Sequence, residues 1–259
     1  MKRNIRLLIM GLCTVVCIVI TLLLPRFPQN PSYHAFADQR SIAGIPNFFN
    51  VTSNIFFLLT GLYGFWVLYQ SKAPRNIRIV YAVMFLGIFL TGIGSAYYHY
   101  APDNNSLVFD RLPMILVFMS FLSATIIGWV HARIGSWLLV PLLATGAASV
   151  LWWHYTELQG TGDLRFYGFI QYYPMLIIPL LFWLFASVEN NRGLGLLVWV
   201  IGWYAIAKVF ESMDKQVYHT TGFISGHSLK HVAAGIATFY MVQFFKRKYA
   251  NYTQDAGNR

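Results

Sequence analysis

Apolar and polar positions along the chain fall into eight apolar stretches of roughly membrane length, separated by short polar breaks. They cover about residues 6–24, 46–70, 78–100, 107–131, 136–154, 168–188, 194–211 and 226–245. About 20 mostly apolar residues is what an α-helix needs to cross the hydrocarbon core of a bilayer. The breaks hold helix-stopping residues, as in Ser71-Lys72-Ala73-Pro74, Ala101-Pro102-Asp103-Asn104-Asn105 and Asn190-Asn191-Arg192-Gly193. There is no repeat, low-complexity run or sizeable soluble domain. The pattern predicts an all-α, polytopic transmembrane bundle, because lipid tolerates only elements that satisfy their own backbone hydrogen bonds. The first stretch follows Lys2, Arg3 and Arg6, as a signal peptide would, but it ends in Leu24-Pro25-Arg26-Phe27-Pro28 rather than a small-residue cleavage site. A retained helix is expected. The chain then divides into an N-terminal helix and linker (1–30), a seven-helix membrane domain (31–245) and a basic tail (246–259).

Composition agrees. Of 259 residues, 57% are apolar and 11% charged, and the mean hydropathy is +0.52. Soluble domains carry about 25% charged residues, so soluble, disordered and nucleic-acid-binding classes are excluded. The net charge of +10 is explained by orientation. With the N-terminus in the cytoplasm, twelve Lys and Arg fall on that side and four, Arg26, Arg40, Arg165 and Lys215, on the other. Positive-inside bias therefore favours both termini in the cytoplasm, which suits a bacterial inner membrane, with an organelle membrane as the alternative. Cys13 and Cys17 sit one turn apart in the first stretch, as core or lipid-facing residues.

Ionisable groups inside spans are expensive and point to function. Ser95 and His99 stand at i and i+4 near the end of the third stretch, Asp110 opens the fourth, and His227 and His231 stand at i and i+4 at the start of the eighth. The orientation puts all five in one layer near the outer face. Histidines at i and i+4 share a helix face. A third from a neighbouring helix makes a His₃ set with an open position, the pattern of catalytic zinc sites. Asp110 is then a candidate general base, or a partner that orients a ligand, and Ser95 a donor to a developing oxyanion. Blander readings are open too: headgroup-facing histidines, a Ser95 bonded to its own helix, and an Asp110 paired with Arg111. His34, His131, His154 and His219 lack spaced partners and are expected in loops or at the interface. Glu211 and Asp214 are expected to pair with Lys208 or Lys215. Asn47, Asn50 and Asn54 recur on one face of the second stretch and are expected to tie helices together.

Asn50-Val51-Thr52-Ser53-Asn54, Gly94-Ser95 with His99, Asp110-Arg111-Leu112-Pro113-Met114 and the final His227/His231 pair resemble, in order and spacing, the alkaline ceramidases, seven-helix membrane amidases related to the adiponectin receptors. The resemblance runs from about residue 38 to 245. It implies a ceramidase-like seven-helix core, zinc held by His99, His227 and His231, proton transfer by Asp110, assistance at the carbonyl by Ser95, and hydrolysis of ceramide to a sphingoid base and a fatty acid. The acidic, Trp-containing calcium segment of the animal enzymes is replaced by Phe36-Ala37-Asp38-Gln39-Arg40, and the family's glutamate aligns with Asn47. A calcium site is therefore not carried over. The expected activity is a zinc-dependent amidase embedded in the membrane and acting on a ceramide-like lipid. The alternative is a receptor-like protein in which zinc is structural.

Overall fold

The computed structural model describes residues 2–186 and 193–249. Among them there is no β-strand. The helices are α1 (Arg3–Leu23), α2 (Phe48–Thr52), α3 (Ile55–Gln70), α4 (Arg75–Tyr100), α5 (Asn104–Trp129), α6 (Ala132–Leu158), α7 (Arg165–Phe185), α8 (Leu194–Ser212), α9 (Asp214–Thr221) and α10 (Gly226–Tyr249). The Asn190-Asn191-Arg192 part of one predicted connector, and the tail beyond Tyr249, lie outside the described residues.

Among the described residues, seven spans are long and apolar enough to cross a membrane, with α2 and α3 counted together as Phe48–Gln70. The protein is a multi-pass membrane protein. The eighth predicted stretch, α10, is long enough at 24 residues but does not qualify by composition. His227, Ser228, Lys230 and His231 occupy its first two turns, and these polar side chains are turned into the protein.

Local chemistry sets the helix ends. At α5, Asp103 accepts from the Ser106 backbone N–H at 2.6 Å and the Ser106 hydroxyl accepts from the Asp103 N–H at 3.0 Å, a reciprocal capping box. The second predicted stretch is interrupted. Asn47 adopts a left-handed conformation (φ 47°), so helix begins only at Phe48, and the chain turns again at Ser53-Asn54 before α3. Short polar side chains tolerate such breaks because they can bond the local backbone, as Asn54 Nδ2 does by donating to the Asn50 carbonyl at 2.8 Å.

Lipid tails are as apolar as leucine, so helices in a bilayer are held by close packing and buried hydrogen bonds rather than by hydrophobic burial alone. The half of the bundle away from the histidines is aromatic: Tyr81, Phe85, Phe245 and Tyr249 contact one another, and Trp129 stacks on Phe244. Helix α1 has no buried residue and lies against α7, where the Thr14 and Tyr173 hydroxyls meet at 2.8 Å. The segment between α1 and α2 folds across the opposite end of the bundle. It is anchored by Glu157, which accepts from the Gln29 N–H at 2.6 Å, and by His34, whose ring nitrogens contact Tyr98 Oη at 3.0 Å and Asn104 Oδ1 at 3.1 Å.

Candidate active site

Helix α4 delivers His99 at its last turn, and α10 delivers His227 and His231 from its first two turns on one face. Three features fix the start of α10. The Ser225 hydroxyl accepts from the Ser228 N–H at 3.2 Å, and Asp214 Oδ1 accepts from the His227 N–H at 2.7 Å. Gly226 allows the close approach: a Cβ there would lie 2.4 Å from the Phe210 carbonyl oxygen and 2.7 Å from Asp214 Cα.

The three rings converge. One candidate ligand nitrogen from each lies within 4.8 Å of the other two, and His99 Nε2 is 3.2 Å from His231 Nε2. Two nitrogens each about 2.0–2.1 Å from one tetrahedral ion would stand about 3.3–3.4 Å apart, so this pair has the spacing of co-ligands. All three residues are buried, and His99 Nδ1 has no hydrogen-bond partner among the described residues. Three buried imidazoles crowded together, with His99 Nδ1 left unpartnered, are a costly arrangement for an empty protein interior and a natural one around a cation. The donor set fits a metal ion.

The surrounding residues fix the rings. Ser53 Oγ contacts His231 Nδ1 at 2.8 Å, which leaves Nε2 free to face His99. Asn47 Nδ2 donates to the His99 carbonyl at 2.8 Å. Asn50 Oδ1 accepts from the Ser228 hydroxyl at 2.7 Å and from Ser225 at 3.3 Å. Two of the three asparagines thus tie neighbouring helices together, as expected, while Asn54 bonds its own backbone. Phe36 covers the cluster, its ring centroid 4.7 Å from those of both His99 and His227.

Ser95 and Asp110 meet where α4 crosses α5. The crossing is unusually close because Gly94 has no side chain: a Cβ there would lie 1.9 Å from the Phe109 carbonyl oxygen. The Ser95 hydroxyl interacts with the Asp110 carboxylate. Asp110 does not form an ion pair with Arg111, whose guanidinium turns away to lie 4.0 Å from the Trp153 ring centroid and 4.3 Å from that of Tyr167. Arg111 Nη2 donates to Gln29 Oε1 at 2.6 Å.

Two cavities flank the histidines. One, about 440 Å³, has Ser95, Asp110, Arg111, Lys230, Glu211 and His231 at its polar end and runs past Ala234, Ala237 and Met241 of α10. From His231 to Met241 is ten residues, or roughly 15 Å along a helix axis. The other, about 310 Å³, is bordered by Phe36, Asp214 and His227. A family model for ceramidases matches residues 40–258. The chain belongs to the ceramidase family. A comparison with curated proteins finds no match. At family level the activity is hydrolysis of ceramide, an amide of a long-chain base. The match takes in all five candidate residues and leaves α1 and the segment carrying Phe36 and Asp38 outside.

The charged residues of this ceramidase depart from expectation in one respect. Glu211 pairs with Lys208, as expected, and also with Lys230 at 3.0 Å, whereas Asp214 pairs with no lysine among the described residues. Its carboxylate instead accepts backbone N–H groups from His227 and, at 2.9 Å, Ala37. A carboxylate at the junction of α8, α9 and α10 meets unsatisfied helix-terminal N–H groups before it meets a lysine. Lys230 Nζ also lies 3.2 Å from His227 Nε2. In the loop, burial raises the Asp38 carboxyl, but hydrogen bonds and charge from Arg40 outweigh it and hold the group below the usual carboxylate range. The bond distances there are 2.7 and 2.9 Å. Of the unpaired histidines, His34 anchors the loop, His131 caps α6 and His219 lies in α9. Sequence reasoning did not single out Phe36, Ser53 or Lys230 as neighbours of the triad. Ser53 lay inside a quoted motif, Lys230 was signalled by being an ionisable residue inside a span between the two histidines, and Phe36 carries no signal of its own.

Proposed function

We propose that the protein is an integral-membrane, zinc-dependent hydrolase that cleaves the amide bond of ceramide-like sphingolipids to a sphingoid base and a fatty acid. The observation that carries this reading is the convergence of His99, His227 and His231 within 4.8 Å between a cavity at the bundle's end and a long, largely apolar one. Imidazole nitrogens suit zinc, and three protein ligands leave a position free for substrate or water. When bound, the ion supplies Lewis acidity to the amide carbonyl and brings the pKa of water to about 7.

The chain's own residues do the rest. The apolar cavity takes an acyl chain beside Ala234, Ala237 and Met241, which leaves the amide near Ser95 and Asp110. Asp110 accepts a proton on a carboxylate oxygen from the water that attacks the carbonyl carbon, then passes it to the amide nitrogen as the C–N bond breaks. The acyl carbon keeps the new C–O bond, and the amine leaves with the proton. Ser95 donates to the carbonyl oxygen as negative charge builds there. Ser53 holds the His231 ring, and Phe36 closes the histidines off from bulk water. We assign no calcium site to the preceding loop, because Arg40 engages both Asp38 oxygens. Residues 31–245 form the catalytic unit, 1–30 an added helix and linker, and 246–259 a cytoplasmic tail. The basic-residue bias supports both termini in the cytoplasm and the site near the outer face, an orientation that suits a bacterial inner membrane.

The test is elemental analysis of purified protein together with fatty-acid release from labelled ceramide. Stoichiometric zinc with turnover supports the reading. Zinc-loaded protein that cleaves no lipid amide, and whose behaviour is unchanged by Asp110→Asn, leaves the receptor-like alternative.

A further inference from the structure

The polar end of the long cavity is richer in cations than hydrolysis of a neutral amide requires. Arg111, Lys208 and Lys230 face two carboxylates, Asp110 and Glu211, along the same wall. Glu211 is already shared by both lysines. Arg111 has no salt-bridge partner among the described residues. It is 5% exposed, its Nη2 is used by Gln29, and its Nη1 is buried with no hydrogen-bond partner. The Tyr204 hydroxyl, on the same wall, is likewise buried, with Gln171 beside it.

A buried guanidinium with an unused N–H leaves a strong donor unsatisfied, which folded proteins avoid unless something else supplies the acceptor. The aromatic faces of Trp153 and Tyr167 attract the cation and hold the guanidinium plane in place, but they give Nη1 no acceptor. A guanidinium fixed in one orientation beside a lipid-sized cavity is suited to an oxyanion, which it meets with charge-assisted hydrogen bonds.

We propose that Arg111 is a headgroup-selecting residue, and that the preferred substrate is an N-acyl lipid whose amine-side portion carries an oxyanion such as a sulfonate, carboxylate or phosphate. This rests on the amidase reading and deepens it. The acyl chain occupies the apolar length of the cavity, the amide lies by Asp110 and Ser95, and the anionic group meets Arg111 Nη1, with Tyr204 Oη as a second donor.

The experiment compares kcat/KM of the zinc-loaded, full-length protein on neutral ceramide and on ceramide 1-phosphate. The expected ratio favours the anionic lipid by about tenfold or more, the scale of one charge-assisted hydrogen bond, and falls toward one in Arg111→Gln while Arg111→Lys retains part of it. A wild-type ratio near one, or a ratio unmoved by Arg111→Gln, overturns the proposal. A second measurement does not need turnover: binding of a long-chain alkyl sulfonate to the wild type, read by fluorescence of Trp153 beneath the guanidinium against a Trp153→Phe control, with the corresponding alkyl alcohol as neutral comparison. Sulfonate binding that exceeds alcohol binding at least tenfold in wild type, and not in Arg111→Gln, supports the site even if no lipid amide is cleaved, and that outcome would count against the amidase reading alone. Equal binding of sulfonate and alcohol overturns the site. A third arm uses oleate as inhibitor. If Arg111→Gln weakens oleate inhibition but leaves the substrate ratio unchanged, the residue serves the product carboxylate and the headgroup proposal fails.

Discussion

Replacing Gly94 with alanine tests whether the α4–α5 crossing sets the catalytic geometry. The added methyl would start 1.9 Å from the Phe109 carbonyl oxygen and 2.7 Å from its carbon. Carbon-to-oxygen contacts settle at about 3.3–3.6 Å, so the helices must part locally by about 1.5 Å. Both contacts are with backbone, so no side-chain rotation relieves them. Overpacking of this kind costs about 1–3 kcal/mol, which for a chain of this size corresponds to a fall in Tm of about 2–12 °C. Ser95 follows Gly94 on one helix and Asp110 follows Phe109 on the other, so the separation falls on the pair proposed to act on the amide. Misplacement by about 1 Å can reduce turnover about 10²-fold. Gly94→Ala should therefore lower kcat on labelled ceramide by about two orders of magnitude, with kcat taken per bound zinc because α4 also carries His99. If Gly94→Ala turns over within threefold of wild type and melts at the same temperature, the crossing does not position the site.

Asp110→Asn should retain zinc and lose about 10²–10⁴-fold in turnover, measured by fatty-acid release alongside elemental analysis; loss of metal would instead make Asp110 a ligand support. Ser53→Ala removes the partner of His231 Nδ1 and should weaken zinc binding by about 10–100-fold in a chelator competition, with His231→Ala weaker still. Acid should loosen the extramembrane loops. Burial aside, Arg40 lowers the Asp38 carboxyl, and the hydrogen bond from Arg165 lowers that of Asp163, each from an ordinary value of 3.8. A depressed carboxyl stabilises the fold above its unfolded pKa, and that contribution disappears as pH falls through the folded value. Asp38→Asn should thus destabilise the protein more at pH 7 than at an acid pH well below the ordinary carboxyl value of 3.8. Equal destabilisation at both pH values contradicts the assignment.

Much of the fold was legible in the sequence because a bilayer imposes one rule, about 20 apolar residues per crossing, that composition obeys visibly. The triad was legible for a related reason. Polar residues within spans stand out, and alternating helix direction brings the end of α4 and the starts of α5 and α10 to one level. What escaped was placement without period or local contrast. Phe36 is an ordinary loop aromatic until the chain folds back over His99 and His227. The break at Asn47 depends on one left-handed residue in an otherwise helical pattern. Arg111 reads as a partner for its neighbour Asp110, but adjacent helix positions point about 100° apart, and Trp153 and Tyr167, more than forty residues on, provide its actual surroundings.

The polarity of α10 has a consequence for biogenesis. A helix that opens with two histidines and a lysine is a weak candidate for entering lipid unaided, since ionisable side chains within a span are costly to insert. Glu211 of α8, which meets Lys230 at 3.0 Å, and Ser53 and Asn50, which meet His231 and Ser228, all emerge from the ribosome earlier. Helix α10 thus finds its counter-charge and hydrogen-bond acceptors already waiting, and the order of synthesis becomes a safeguard: the histidine cluster is completed only after the scaffold that makes it tolerable to the membrane is in place.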